Sequence, residues 1–565
     1  MDNVRFLLIV VLASLTYMLY DAWQQDYGPK PEPIVAASEQ PMIRSETNVV
    51  PSSQSNVSSQ PATASTQQVE AAQRLAVINI QTDLLALEIN PQGGVLQNLD
   101  LRNHPKEKEN TVVKQLRAWV GLEPSVKDLS PVRLLDTDPE RLFLAQNGLI
   151  SASGHSVPNH QAFFQSEQHS YRLADGQDEL RVPLRWTGAD GVEVSKVYVF
   201  KRGSYLIDLE QTISNRSDRP WQGRQYLQLL RRPYQDANSN TFIRTFTGAV
   251  TYTQQDKYQK ISFDDIADDK LEIETQGGWI AMIQHYFASA WIPVQDSLNH
   301  FYTKDLKDNR FVIGSFSEPV TVAPEATVTF TAALFTGPKI QPMLEKVAEG
   351  LELTTDYSWL TIIAKPIYWL LNQFHGLVGN WGVAIIFVTL VIKLLFFKLS
   401  QTSYHSMAKM RKLQPKLKAL QERYADDRQR LNQEMMELYK REKVNPLGGC
   451  LPILVQIPVF ISLYWVLVET VELRQAPFML WIQDLSTQDP FYILPLLMGI
   501  TMKIQQSLNP APVDPVQAQI IKMFPVIFTV FFLFFPAGLV LYWVVNNTLS
   551  IAQQWVITRQ IERED

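Results

Sequence analysis

Between residues 381 and 473 the chain passes through a long apolar segment, some fifty polar and mostly basic residues, and a second apolar segment. Nothing else constrains the fold as strongly, because apolar runs of membrane length demand lipid or a helical core around them. The first run, WGVAIIFVTLVIKLLFFKLS, would reach about 30 Å as a helix at ~1.5 Å per residue, enough to cross a hydrocarbon core. It carries one charge well inside, Lys393, with Thr389 one helical turn earlier on the same face. An ammonium in lipid costs ~2.5–3.5 kcal/mol on insertion scales, so it normally faces water or protein. Two readings stand. Lys393 is a working intramembrane charge, or it lies near the cytoplasmic end, five residues before Lys398, and snorkels to the headgroups.

The chain has 565 residues, room for more than one domain. Its formal net charge of −6 argues against general nucleic-acid binding. A mildly negative mean hydropathy hides a polar first half diluting an apolar second half. The single cysteine, Cys450, excludes an intramolecular disulfide and a cysteine-cluster metal site.

In chain order, residues 4–20 form an apolar run behind Arg5 with no small-x-small cleavage site after it. We read residues 1–23 as an uncleaved transmembrane anchor. Residues 24–74, rich in Ser, Pro, Gln and Thr, read as a disordered periplasmic tether, with too little apolar surface to offset its ordering entropy. From 75 to 340 the pattern has period two. Leu85, Leu87 and Ile89 alternate up to the turn Asn90-Pro91-Gln92-Gly93-Gly94. Val192, Val194, Tyr198 and Phe200 share a strand face, and Tyr205, Ile207 and Leu209 return after Lys201-Arg202-Gly203-Ser204. Val328, Phe330, Ala332 and Leu334 repeat the pattern. A large antiparallel β-sandwich is the expected architecture. Six of the eight histidines lie here without metal-ligand spacing, and each reads as a surface or core residue.

Residues 341–380 bring a short helix and then an amphipathic interfacial one, with Trp359, Ile362, Ile363, Ile367, Leu370, Leu371 and Phe374 as its apolar stripe. Transmembrane segments are expected at 381–399, 447–473, 491–507, 520–535 and 538–557. With the anchor they make six. Pro536-Ala537-Gly538 would fold the last two into a tight antiparallel pair. The apolar runs at 491–504 and 520–535 reach only ~21–24 Å, so local bilayer thinning is expected.

Residues 400–445 hold eleven Lys/Arg against six Asp/Glu, whereas 472–490 hold one Arg and three acids. The positive-inside rule therefore puts 400–446 in the cytoplasm, along with 508–519, the tail 558–565 and both termini. Residues 474–490 and the β-domain fall on the periplasmic side. Within the basic loop, Met407, Met410, Leu413, Leu417, Leu420 and Tyr424, then Leu431, Met435 and Leu438, recur at helical spacing around Ala425-Asp426-Asp427. That describes a helical hairpin, with Pro415 placed to kink its first arm. Lys409, Arg411, Lys412, Lys416 and Lys418 form either a solvated face that enforces topology or a platform for a ribosome, a targeting factor or an emerging chain, aided by adaptable methionines.

The stretch SYHSMAKMRKLQPKLKALQERYADDRQRLNQEMMELYKREKVNPLGGCLPILVQIPVF closely resembles the bacterial YidC membrane protein insertase family. So do VELRQAPFMLWIQDLS, DPFYILPLLMG and FPVIFTVFFLFFPAGLVLYWVVNN. The similarity runs from roughly residue 357 to the end, and the anchor, tether and β-domain look like the Gram-negative form. The resemblance implies an α-helical polytopic membrane protein with a five-helix core and an all-β supersandwich periplasmic domain. It also implies a hydrophilic groove open to cytoplasm and lipid, whose arginine maps onto Lys393. Thr389 and Tyr542 match groove-lining positions, and Trp543 stands where an aromatic is common. Lys for Arg keeps the charge and loses the planar fork. The tail departs from relatives with long basic extensions, having only Arg559 and Arg563 against Glu562, Glu564 and Asp565.

The expected function is a membrane protein insertase and chaperone, acting alone or with the Sec translocon on nascent membrane proteins. A wet groove would hold the polar flank of an incoming segment while its apolar part enters lipid. Lys393 would attract acidic groups. Gln456, Ser462, Asn546 and Asn547 offer hydrogen bonds either to the client or between helices, and Tyr542 and Trp543 offer a slide or core packing. No nucleotide motif, catalytic residue, metal site or cofactor is expected. A transporter or channel is the alternative, although one intramembrane charge and no internal repeat speak against it. A membrane-anchored carbohydrate enzyme would leave the helices unexplained.

Overall fold

A computed structural model describes residues 76–119, 127–151, 157–234, 245–424, 427–442, 451–509 and 515–564. The expected anchor, the tether, Ala425, Asp426 and Cys450 lie outside these residues. The described β-domain and helices belong to one compact unit.

The β-domain packs an eleven-stranded sheet against a nine-stranded one. In the nine-stranded sheet, Val192–Lys201 pairs antiparallel with Leu206–Asn215, Phe200 opposite Ile207 and Val194 opposite Ile213. Gly203 supplies the positive φ (68°) of the intervening turn. Leu206–Asn215 then pairs with Thr327–Pro338 at the middle of the sheet. In the eleven-stranded sheet, Leu85–Asn90 buries every second residue, as its alternation dictates. Leu87, Ile89, Tyr198, Ile207, Leu229 and Trp291 contribute to one core between the sheets, and the Trp291 indole donates across it to the Gln228 carbonyl at 3.1 Å. Among the described residues of the domain, two short helices interrupt the strands, α1 (Thr111–Trp119) and α2 (Phe263–Asp268).

One residue breaks the apolar alternation of Val192–Lys201. Lys196 points into the core and is fully buried. Its ammonium donates to the Gly93 carbonyl at 2.6 Å and lies 4.5 Å over the Phe164 ring. The predicted Asn90–Gly94 turn makes this possible. A Cβ on Gly93 would meet the His160 backbone at 2.3 Å, and both turn glycines have positive φ. Burial lowers the Lys196 pKa to about 7. Burial likewise lowers His104 and His160 to about 4 and His285 to about 3, so all three are neutral near pH 7.

The chain leaves the sandwich through α3 (Gln341–Val347) and enters α4 (Thr361–Val378). The expected stripe of α4 divides between two surroundings. Ile367 and Leu371 join Ala364 and Tyr368 in the helical core, whereas Trp359 and Ile362 point outward, 76% and 86% exposed. The reason is that α4 carries apolar residues on both sides, so one side packs on protein and the other stays exposed.

The following helices are α5 (Trp381–Leu395), α6 (Phe397–Arg423), α7 (Arg428–Arg441), α8 (Leu451–Glu469), α9 (Ile493–Leu508), α10 (Pro515–Phe532) and α11 (Ala537–Glu564). Among the described residues no single helix is long and apolar enough to cross a membrane. The expected continuous span from Trp381 is instead a pair, α5 and α6, bent by 66° at Phe396. Neither Pro nor Gly marks the bend. Packing explains it, because the first turns of α6 lean onto α11 and bury Ser400 and Ser403.

The last two helices are likewise not the tight pair expected. Helix α11 packs chiefly along α9 and α5, not along α10. The Pro536–Gly538 turn is stitched into the preceding loop, Ala537 N–H donating to Thr487 O and Gly538 N–H to Leu485 O. These bonds swing α11 away from α10.

The hairpin of α6 and α7 follows the predicted spacing. Leu413, Leu417 and Leu438 form its core with Met410, Leu420, Met435 and Tyr439, and Lys416 pairs with Glu442 at 2.7 Å. Helix α6 continues through Pro415. Met410 and Met435 are therefore packed inside the hairpin, and Met436 is the exposed one.

The sandwich is clasped to the helices. Lys339, just past the last strand, meets Glu469, the last residue of α8, at 3.2 Å, with both side chains at most 4% exposed. Lys339 also donates to Thr354 O at 3.0 Å. His285 Nε2 donates to Val468 O, and Arg474 and Gln475 donate to Pro105 O. Lys108 donates to Gln475 O and Asn110 to Trp481 O.

Two outcomes are expected. Unfolded Lys196 holds its proton up to about 10.5 and folded Lys196 only to about 7. Between these values the unfolded chain binds the extra proton, so stability rises with pH by up to ~1.4 kcal/mol per unit. Denaturation midpoints of the detergent-solubilised protein should climb from pH 7 to 9.5, and Lys196→Met should flatten the climb. At the clasp, Lys339→Met strands a buried carboxylate and should cost ~3–5 kcal/mol, whereas Lys339→Met with Glu469→Leu should recover most of it. Equal melting temperatures for the single and double variants would refute the clasp.

Candidate functional site

Where the end of α5, the start of α6 and the middle of α11 converge, a polar seam crosses the apolar helices. Lys393, on the last turn of α5, is 9% exposed and donates to Ser550 Oγ on α11 at 2.6 Å. The Ser550 hydroxyl spends its own proton on Asn546 O, one turn back, at 2.7 Å. Further along α11, Gln553 donates to Phe397 O at 3.3 Å, and Gln554 donates to Asn509 Oδ1 at 3.1 Å. Asn547 reaches Thr501 Oγ1 on α9 at 3.4 Å. Among the described residues, no carboxylate lies within ion-pair distance of Lys393. A buried ammonium whose partner is a neutral hydroxyl is an unmatched charge.

The expected site residues separate into groups. Lys393 and Asn546 share the seam. Thr389 is buried one turn before Lys393, but its hydroxyl donates to Ile385 O of its own helix at 2.7 Å. Ser462 does the same to Pro458 O at 2.8 Å. Gln456 is half-buried on α8. Tyr542 and Trp543 stack around Phe460, at 5.8 and 4.9 Å between centroids, and Trp543 also lies 5.6 Å from Phe532. Tyr542 is part of the helical core and the half-buried Trp543 packs against it, its indole N–H without a hydrogen-bond partner among the described residues. In the hairpin, Lys409, Arg411, Lys412, Lys416 and Lys418 are all exposed.

Sequence reasoning missed Ser550, Gln553 and Gln554. Their signal was available, since Asn546, Ser550, Gln553 and Gln554 follow helical spacing as a polar stripe within an apolar helix. The seam offers no nucleophile beside a base, and its capacity is electrostatic, a cation held at reduced dielectric.

A β-sandwich clasped onto apolar helices, one of them burying an unmatched cation, makes a two-part chain, and two family models divide it in the same way. The 60Kd inner membrane protein family matches residues 373–564, and the YidC periplasmic domain matches residues 123–370. A membrane protein insertase YidC of Methylococcus capsulatus is 56% identical over 100% of this chain and 99% of its own length. One from Nitrosococcus oceani is 48% identical, with 100% of both chains covered. A crystal structure of an active YidC insertase with its first transmembrane domain resolved aligns over 85% of this chain and 92% of that one, at 16% identity and a TM-score of 0.37. The chain belongs to the membrane protein insertase YidC family.

The aromatic cluster makes its own prediction. Trp543→Phe keeps the ring packing and removes an unsatisfied buried donor, so thermal stability in detergent should hold or rise. Trp543→Ala should cost ~3–5 kcal/mol by opening a cavity. Equal melting temperatures for Trp543→Ala and wild type would place this side chain outside the core.

Proposed function

We infer that this chain inserts and folds inner-membrane proteins, alone or with the Sec translocon, through a hydrophilic groove centred on Lys393. The observation that carries the site is the burial of that ammonium against a neutral hydroxyl. A fixed cation without a counter-charge is unfavourable by itself and becomes favourable when an acidic group arrives. An incoming segment stalls on moving its polar flank across hydrocarbon. A polar seam built from Ser550, Asn546, Gln553 and Gln554 would give that flank partners while its apolar part leaves toward lipid.

Charge asymmetry supports a cytoplasmic α6–α7 hairpin and a periplasmic β-domain. We propose six spans, with both termini inside and helices 2 to 6 forming the groove core. The exposed basic face of α6 would meet a ribosome or a targeting factor. Of the two segments expected to be short, α9 is about 24 Å long by helix rise and supports thinning of the bilayer around the groove, whereas α10 reaches about 27 Å and does not. A transporter or channel is not favoured, since the relatives named above are insertases and the seam carries a single charge.

The test is complementation of insertase-depleted cells by wild type, Lys393→Arg, Lys393→Ala and Lys393→Glu, each at matched membrane levels. Rescue by wild type and Arg, with loss for Ala and Glu, is expected. Rescue by all four would reduce Lys393 to a snorkelling lysine, and failure of wild type would sink the insertase reading.

A further inference from the structure

We propose that Ser550 is the positioning residue of the groove: its Oγ parks the Lys393 ammonium against α11 and yields it to a carboxylate on the incoming chain. The proposal rests on the groove reading above and names the step at which a client is recognised. Three features of the geometry support it.

The Ser550 hydroxyl lies within bonding distance of Asn546 O and also meets the Tyr404 phenol of α6, and since an ammonium can only donate, Ser550 offers the amine a lone pair. A hydroxyl held in this way is a directed acceptor, and it fixes the long lysine side chain in one rotamer across the helix–helix interface. Thr389 on α5 makes the same kind of bond to Ile385 O of its own helix. What singles out Ser550 is its place across the interface on α11, 2.6 Å from the amine.

Parking solves a problem that the groove creates. A free lysine stem of four methylenes could snorkel out of the seam or be ordered only when a client arrives. Bonding to Ser550 removes that freedom beforehand. A neutral oxygen holds an ammonium less tightly than a carboxylate does at the same distance. Exchange of Ser550 for an Asp or Glu of the client is therefore favourable, whereas exchange for a client amide is close to neutral. Discrimination follows from the weakness of the parked bond. An acidic residue at position 550 would satisfy the lysine permanently and leave nothing to exchange.

The experiment uses full-length protein in insertase-depleted cells, with two pulse-labelled model clients that differ only in one flanking residue, Asp or Asn. Wild type should insert the Asp client faster. Ser550→Asp should lower Asp-client insertion by about tenfold while changing the Asn client much less. Ser550→Ala, which removes the acceptor without adding charge, should narrow the difference between the clients, and Ser550→Thr should restore it. Membrane levels and protease resistance of each variant are measured alongside. Equal losses for both clients with Ser550→Asp would make Ser550 a packing residue and overturn the proposal. If Ser550→Asp does not accumulate, the Ala and Thr variants decide, and a client ratio unchanged from wild type in Ser550→Ala overturns it. Lys393→Ala separates the two levels. If it abolishes discrimination and the Ser550 variants do not alter it, only the parking role fails. If it too leaves discrimination intact, the groove charge itself is wrong.

Discussion

The helical half of this protein depends on where the carboxylate closing α8 finds its counter-charge. Glu469 is taken out of water at the end of an apolar helix, and the partner it meets, Lys339, comes from the exit of the β-sandwich. Burying such a pair is tolerable only when geometry is good and other bonds assist, here from Lys339 to Thr354 O and from His285 to the neighbouring Val468 carbonyl. Burial holds His285 neutral, so it donates without adding a third charge. The consequence is a mechanical link. The loop between α8 and α9 is gripped by Pro105–Asn110 of the sandwich, and that loop in turn stitches the start of α11 through Leu485 and Thr487. Helix α11 carries Ser550, so the polar seam is positioned in part by a domain on the other side of the bundle.

The two buried lysines of this chain meet different environments. Lys196 is ringed by carbonyl and aromatic partners inside a rigid sandwich, which holds it as a structural element. Lys393 rests on the Ser550 hydroxyl between helices. The same side chain is therefore held by several fixed partners in one domain and by a single side-chain oxygen in the other.

Much of the fold was legible. Alternation located Leu85–Asn90, Val192–Lys201, Leu206–Asn215 and Thr327–Pro338, because a sandwich strand must bury every second residue. Helical spacing located the α6–α7 hairpin down to Leu413, Leu417 and Leu438. The failures share one cause. Lys196 in a core face, the bend at Phe396, the parting of α10 from α11 and the divided stripe of α4 are all settled by distant neighbours. No local preference records them. In the site, the single charge Lys393 stood out because it interrupts an apolar run. Its partner Ser550 shows only as one member of the polar stripe Asn546, Ser550, Gln553 and Gln554, and that stripe does not say which helix it faces.

By itself the sequence determined the alternation of the sandwich strands and the apolar spacing of the α6–α7 hairpin. These follow from transfer free energies and periodicity, which act residue by residue. Family membership was likewise readable from the hairpin and the last two apolar segments. Only the tertiary structure decided which buried polar groups satisfy one another: Lys339 with Glu469, Lys196 with Gly93, Lys393 with Ser550. The last pair is separated by 157 positions. A hydrogen bond depends on ångström-scale distance and angle, and hydrophobic patterning alone cannot specify these across such a separation.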